Sequence, residues 1–149
     1  MNKNNKWLEY GLYVLAIPAF INVICSFIVN TIPHNINSGP DPVAVFVKSS
    51  NAWQLGAFLV VVSLIVPLIE EAFYRKFLWA ITNKFLSQRN TFYVIAILFA
   101  LSHGKPYLVA GLMPFSLYLS YLRAKYDSIK PTYLAHCIFN ITGTLYVLV

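Results

Sequence analysis

Charge is what this chain has least of. Only 11% of its 149 residues are Asp, Glu, Lys or Arg, and just 5 are acidic. Soluble domains carry about 25% charged residues, so an ordinary aqueous domain is excluded. A disordered tail is excluded too, because it depends on polar and charged composition. Cysteine is nearly as scarce. Cys25 and Cys137 lie inside apolar runs with no CxxC pair and no metal-ligand spacing, which rules out a disulfide scaffold and leaves two buried thiols. With 6 Gly and 8 Pro there is no low-complexity tract, and no internal repeat is present. What the chain does have is apolar surface: 58% of residues, and a mean hydropathy of +0.64. So short a chain has no interior able to hold that much, and much of it must face lipid. The fold class expected is all-α, a polytopic membrane bundle of about five hydrophobic segments.

Residues 10–29 carry no charge and are long enough to cross ~30 Å of hydrocarbon. Lys3 and Lys6 precede this run as in a signal peptide. The run is long for a signal peptide's apolar region and no small-x-small cleavage site follows, so it reads as a retained first helix. Residues 30–51 hold Pro33, Gly39, Pro40 and Pro42 and read as a loop at the outer surface. Residues 52–69 are apolar, lead into Glu70-Glu71, and continue through Phe77 to Ile81. One long helix kinked near Pro67 is expected. Three further segments follow at 91–103, 107–122 and 132–149. In the second, Gly111, Ser116 and Ser120 are small residues suited to close helix packing. The chain thus divides into an N-terminal membrane helix with its loop, 1–51, and a helical core, 52–149.

The basic residues set an orientation. With the N-terminus in the cytoplasm, Lys3, Lys6, Arg75, Lys76, Lys84, Arg89, Arg123, Lys125 and Lys130 fall inside and only Lys48 and Lys105 outside. This is the positive-inside pattern. It accounts for the net charge of +6 without a nucleic-acid partner. The expected location is integral and multi-pass, in a bacterial plasma membrane.

An ionisable group inside a membrane helix costs several kcal/mol unless it is paired or lines a wet cavity. Glu70, Glu71, Arg75, His103 and His136 therefore each need a reason, as does the amide of Asn140. Glu71 and Arg75 stand at i,i+4 with the acid first, the favourable order for an ion pair. Glu70 lies about 100° round the helix and finds Tyr74 at i+4. A free, half-desolvated carboxylate of this kind is suited to act as a general base, although sharing Arg75 or bonding to a neighbouring helix would also explain it. An antiparallel hairpin about the turn at residues 84–90 would put Glu70 and His103 level, about 14–20 Å below the inner surface. His136 and Asn140 share one face of the last helix at about 9–15 Å, which overlaps only the shallower estimate for Glu70. By themselves they could equally form an interhelical hydrogen-bonded pair.

Read in order, Glu70-Glu71-Ala72-Phe73-Tyr74-Arg75, Phe99-Ala100-Leu101-Ser102-His103 and His136-Cys137-Ile138-Phe139-Asn140 spell EExxxR, FxxxH and HxxxN on three apolar helices. This resembles the CAAX-protease and bacteriocin-processing (CPBP, Abi-type) family of intramembrane endopeptidases, over residues from about 53 to the C-terminus. The resemblance implies that Glu70 activates a water and His103 helps to hold it. It also implies that His136 and Asn140 stabilise the oxyanion, with Glu71 and Arg75 supporting. The substrate implied is a membrane-associated peptide or protein. No cofactor is required by this reading. A zinc ion held by Glu70, His103 and His136 is the alternative, though no HExxH is present and Asn140 suits an oxyanion better than a metal. Lys76 stands where the family often has a glycine, and family members are commonly longer. A non-enzymatic bacteriocin self-immunity or membrane interaction protein, and a small transporter subunit, are the other readings. Homo-oligomerisation is left open.

The nine-to-two basic asymmetry makes topology testable. A cysteine placed in the turn at 84–90 should resist a membrane-impermeant thiol reagent added from outside, and one placed after Val149 should react. Labelling of the turn from outside would reverse the orientation.

Overall fold

The computed structural model describes residues 8–32 and 42–148. These form α1 (Leu8–Thr31), α2 (Pro42–Ser49), α3 (Ala52–Phe85), α4 (Gln88–Leu101), α5 (Pro106–Tyr126) and α6 (Lys130–Leu148). No strand occurs among the described residues, so the all-α expectation holds. α1 and α3 are long and apolar enough to cross a membrane. α4, at 14 residues, spans about 21 Å and falls short of the hydrocarbon thickness.

Local chemistry sets the boundaries. Asn51 and Gln54 cap α3 reciprocally: the Asn51 side chain accepts from the Gln54 N–H at 2.9 Å, and the Gln54 side chain accepts from the Asn51 N–H at 3.1 Å. Ser87 accepts from the Asn90 N–H at 3.3 Å to start α4. α5 opens on Pro106 and closes on Asp127, whose φ of +46° is the left-handed cap that commonly ends a helix. The expected loop at 30–51 needs correcting in part. Pro42 pre-sets the first turn of α2, which buries Val47 and stacks Phe46 against Phe58 of α3 at 5.1 Å. His34, Asp41, Lys3 and Lys6 lie outside the described residues.

α3 is one unbroken helix with two widened turns, at Val61–Ile65 and Ala72–Leu78. The first precedes Pro67. There the Val66 N–H bonds to Val61 O, five residues back, which makes room for a residue that cannot donate. α1 repeats the device, with Ile17 N–H bonded to Leu12 O one residue before Pro18. The consequence for α3 is a change of period. Its buried residues are Ser63, Pro67, Glu71, Arg75 and Trp79, spaced by four throughout. In a regular helix each such step would drift about 40° round the axis and the stripe would leave the core. Widened turns take up extra residues and keep the stripe facing inward.

The core lies where α4 and α5 pack on each other and are flanked by α1 and α6. It joins Cys25 of α1 to Phe99, Phe115, Leu119, Leu122, Ala135 and Phe139. The rings of Phe115 and Phe139 stack at 3.7 Å. α3 sits at the edge with Leu64, Leu68, Ile69, Phe73 and Phe77 pointing outward, as suits a lipid-facing surface. At the end where α1 begins and α5 finishes, Lys125 pairs with Glu9 at 2.7 Å and lies 3.6 Å from the Tyr13 ring. Tyr10 and Tyr126 meet edge to face beside them. Such aromatic and basic residues favour a membrane–water boundary.

Gly111 of α5 permits the closest approach to α1. A Cβ there would stand 2.3 Å from Val29 Cγ2 and 3.4 Å from the Cys25 carbonyl. Val29 is stiff at χ1 and cannot swing clear. Gly111→Ala should therefore cost about 1–3 kcal/mol, read as a lower midpoint in denaturant titration of the detergent-solubilised protein.

Candidate active site

The inward stripe of α3 delivers Glu71 and Arg75 into the bundle, both with no exposed surface. Arg75 Nη1 donates to Glu71 Oε1 at 3.1 Å, the pair expected from the spacing. The other guanidinium nitrogen, Nη2, reaches Ser116 of α5, 3.4 Å from its hydroxyl and 3.5 Å from its carbonyl. The same hydroxyl donates to Ala96 O of α4 at 2.7 Å. The Arg75 guanidinium carbon lies 4.2 Å from the centre of the Phe99 ring, an attraction worth about 2 kcal/mol when desolvated. From the far side, Arg123 Nε donates to the Arg75 carbonyl at 2.9 Å, and its guanidinium lies 5.4 Å from the Trp79 ring. One arginine thus ties α3 to both α4 and α5.

Glu71 Oε1 also accepts from His136 Nδ1 of α6 at 2.9 Å. A carboxylate only accepts, so Nδ1 carries a proton, whether the ring is neutral or charged. Thr132 stands beside Glu71, but its hydroxyl is given to Ile129 O at 2.7 Å, and Oε2 has no partner. His136 Nε2 faces Glu70 Oε2 at 3.5 Å. The imidazole therefore stands between two adjacent carboxylates. It is wedged edge-on by Phe99 at 5.6 Å and Phe115 at 5.3 Å. Glu70 itself is about a quarter exposed and, among the described residues, has His136 as its ion-pair partner, whereas Glu71 is sealed. One turn beyond His136, Asn140 Nδ2 donates to Val62 O of α3 at 2.7 Å. That carbonyl sits in the first widened turn. The amide nitrogen keeps a second N–H.

His103 is placed differently from the hairpin arithmetic. α4 ends at Leu101, and His103 lies in the turn that follows, before Gly104 at φ +75°. Its Nδ1 pairs with the Phe99 carbonyl at 3.0 Å, and its ring packs on Phe99 at 5.2 Å. It makes no ion pair with Glu70; His136 does. The level argument assumed a uniform rise. Between Glu70 and the turn, α3 passes through the widened stretch Ala72–Leu78, which advances less per residue than an α-helix. Glu70 therefore sits somewhat shallower than a regular helix would put it, and His136 is the histidine that comes within 3.5 Å of it. Phe99 stands between the two histidines.

Sequence reasoning passed over three contributors. Ser116 read as a small packing residue and is instead a partner of Arg75. Phe99 stood only as the first residue of FxxxH, yet its ring also carries Arg75 and His136. Asn22 of α1, buried, donates Nδ2 to the Phe139 carbonyl at 3.0 Å. A buried amide in the first membrane helix was the available signal for that contact.

The zinc alternative needs Glu70, His103 and His136 to converge. Among the described residues no group of three or more His, Cys, Asp or Glu side chains is arranged to hold a metal ion. Glu70 and His136 are close, but His103 is held apart by its bond to Phe99. The donor set does not fit a metal in this arrangement, and no step below is routed through one.

Two helices long and apolar enough to cross a membrane, and a largely buried cluster of carboxylates, guanidinium and imidazole between helices, make an all-α bundle with a polar site inside it. Residues 52–142 match the family model described as type II CAAX prenyl endopeptidase Rce1-like, and the chain belongs to that family, a membrane-embedded protease family. This agrees with the resemblance carried by the three motifs. No curated protein and no solved structure matches the chain.

Breaking a buried pair from one side leaves an uncompensated charge. Arg75→Met should cost about 3–5 kcal/mol, while the double change Glu71→Leu with Arg75→Met should recover much of that loss. Denaturant midpoints of the two variants in one detergent would check the ordering.

Proposed function

We propose that the protein is a multi-pass intramembrane endopeptidase of a bacterial plasma membrane. It hydrolyses a peptide bond in a membrane-associated protein or peptide by means of a water activated by Glu70. The observation that carries this reading is the environment of His136, with Nδ1 on Glu71 at 2.9 Å, Nε2 facing Glu70 at 3.5 Å, and Asn140 one turn along the same helix. Glu70 is the partly open carboxylate, touched only by His136 Nε2, and Glu71 is the one buried and held by Arg75 and His136.

In this mechanism Glu70 takes a proton from water as the oxygen attacks the scissile carbonyl. Charge that develops on the carbonyl oxygen is met by the second N–H of Asn140 and by Nε2–H of an imidazolium His136, whose Nδ1–H stays on Glu71. Two carboxylates then face two cations, Arg75 and His136, and the cluster is neutral overall. His103 donates Nδ1–H to Phe99 O, which leaves Nε2 as an acceptor; the water-holding role that the family resemblance gives it requires His103 to move toward Glu70 from its place against Phe99. Collapse of the tetrahedral intermediate breaks the C–N bond, and the proton on Glu70 passes to the leaving amine. The apolar outer face of α3 on either side of Glu70, at Ile69 and Phe73, suits a substrate that arrives within the bilayer.

Cleavage of a quenched fluorescent peptide ending in a prenylated CAAX sequence is the first assay. Glu70→Gln should keep the fold and abolish cleavage, while Glu71→Gln should chiefly lower folded yield. Equal residual rates in the two would defeat the assignment. Asn140→Ala should slow cleavage by about two to three orders of magnitude, the usual loss for one oxyanion donor. Active protein should contain well under one equivalent of zinc. Stoichiometric zinc that leaves with activity on chelation, and restores it on return, would overturn the metal-free mechanism.

A further inference from the structure

The helix that carries His136 and Asn140 is held by side-chain amides on two sides. On one side Asn140 Nδ2 donates to Val62 O of α3 at 2.7 Å. On the other, Asn22 Nδ2 of α1 donates to Phe139 O at 3.0 Å. The Phe139 carbonyl belongs to the peptide group whose N–H is that of Asn140, so Asn22 fixes the plane from which the Asn140 side chain springs. Thr142 also reaches this carbonyl at 3.0 Å. That contact is internal to α6 and cannot set the helix's rotation against its neighbours. Asn22, 117 residues away in sequence, can. The amide enters because position 143 is glycine: a Cβ on Gly143 would stand 3.0 Å from Asn22 Nδ2.

We propose that Asn22 is a positioning residue for Asn140, acting through the Phe139–Asn140 peptide so that the free N–H of the Asn140 amide points at the developing oxyanion. The inference rests on the catalytic reading of Asn140 given above. Asn22 lies outside the stretch matched by the family model, residues 52–142, so no family motif assigns it. An acceptor held from outside the helix is what such alignment needs, because a displacement of about 1 Å at a reacting group can cost roughly a hundredfold in rate.

Two variants test this by different routes. Asn22→Leu keeps the branched shape and removes the donor, and a cavity of about 240 Å³ beside Asn22, Phe139 and Gly143 gives the bulkier side chain room. Gly143→Ala keeps Asn22 but crowds its amide, which must give by a few tenths of an ångström and so weakens its bond to the carbonyl. Each should lower kcat about tenfold and leave KM within about twofold. In an Asn140→Ala background neither should slow the residual reaction further. In 15N spectra of the detergent-solubilised full-length protein, the Asn140 side-chain amide, assigned by its loss in Asn140→Ala, should shift in both variants. That readout needs no turnover and stands even if the protein proves not to cleave peptides, a failure that wild-type protein alone would reveal. An unmoved Asn140 amide in a folded variant would overturn the proposal, and so would an equal loss of rate with and without Asn140. If Asn22→Leu fails to fold, Gly143→Ala decides by the same criteria.

Discussion

Everything in this structure turns on the contact between Glu71 and Arg75. A carboxylate and a guanidinium with no exposed surface persist among apolar helices because each neutralises the other and, although Glu71 Oε2 and Arg75 Nε stay unpaired, their other polar atoms find partners. Those partners come from elsewhere: His136 from α6, Ser116 from α5, and the Phe99 ring from α4. The pair gains these contacts only once four helices have assembled. The order and phase of those helices are as much a condition of the ion pair as a result of hydrophobic packing. Its neighbour Glu70 is tied to this network only through His136 Nε2 at 3.5 Å and keeps about a quarter of its side-chain surface open.

Much of this was legible in the sequence, and the misses have separate physical sources. Scarce charge and long apolar runs indicated a helical membrane protein, and the i,i+4 order of Glu71 and Arg75 indicated their pairing. The three motifs pointed to the family. Depth arithmetic placed His103 against Glu70 because it counted every residue of α3 at the same rise. The widened turns break that count, and nothing in Ala72–Leu78 marks one, since no proline follows. The widened turn before Pro67 has a cause that can be read in the sequence. The helix in residues 42–49 was hidden by its prolines, which signal a loop until one of them opens a helix.

The first helix has two relations to the rest. By family likeness it stands apart, because the matched stretch begins at residue 52. By packing it belongs to the same interior: Cys25 is part of the core, and Gly111 lets the backbones of α1 and α5 come close. Its side chains at Phe20, Val23 and Phe27 face outward. One stripe of α1 therefore completes the bundle while the other meets lipid, and its single buried amide reaches the helix that bears the site.

The period of four along α3 also bears on how this chain tolerates changes in length. Along a regular helix, deleting one residue rotates everything beyond it by about 100°. A widened turn holds a residue that such a helix would not need, so a deletion within Ala72–Leu78 could be absorbed by tightening the coil. The ends of the stripe would not survive that intact. Tightening would carry Trp79 out from beneath Arg123, or else draw Arg75 away from Ser116. The extra residue is thus fixed from both sides, and insertions or deletions should be accepted in the exposed stretch before Val61 far more readily than between Ser63 and Trp79.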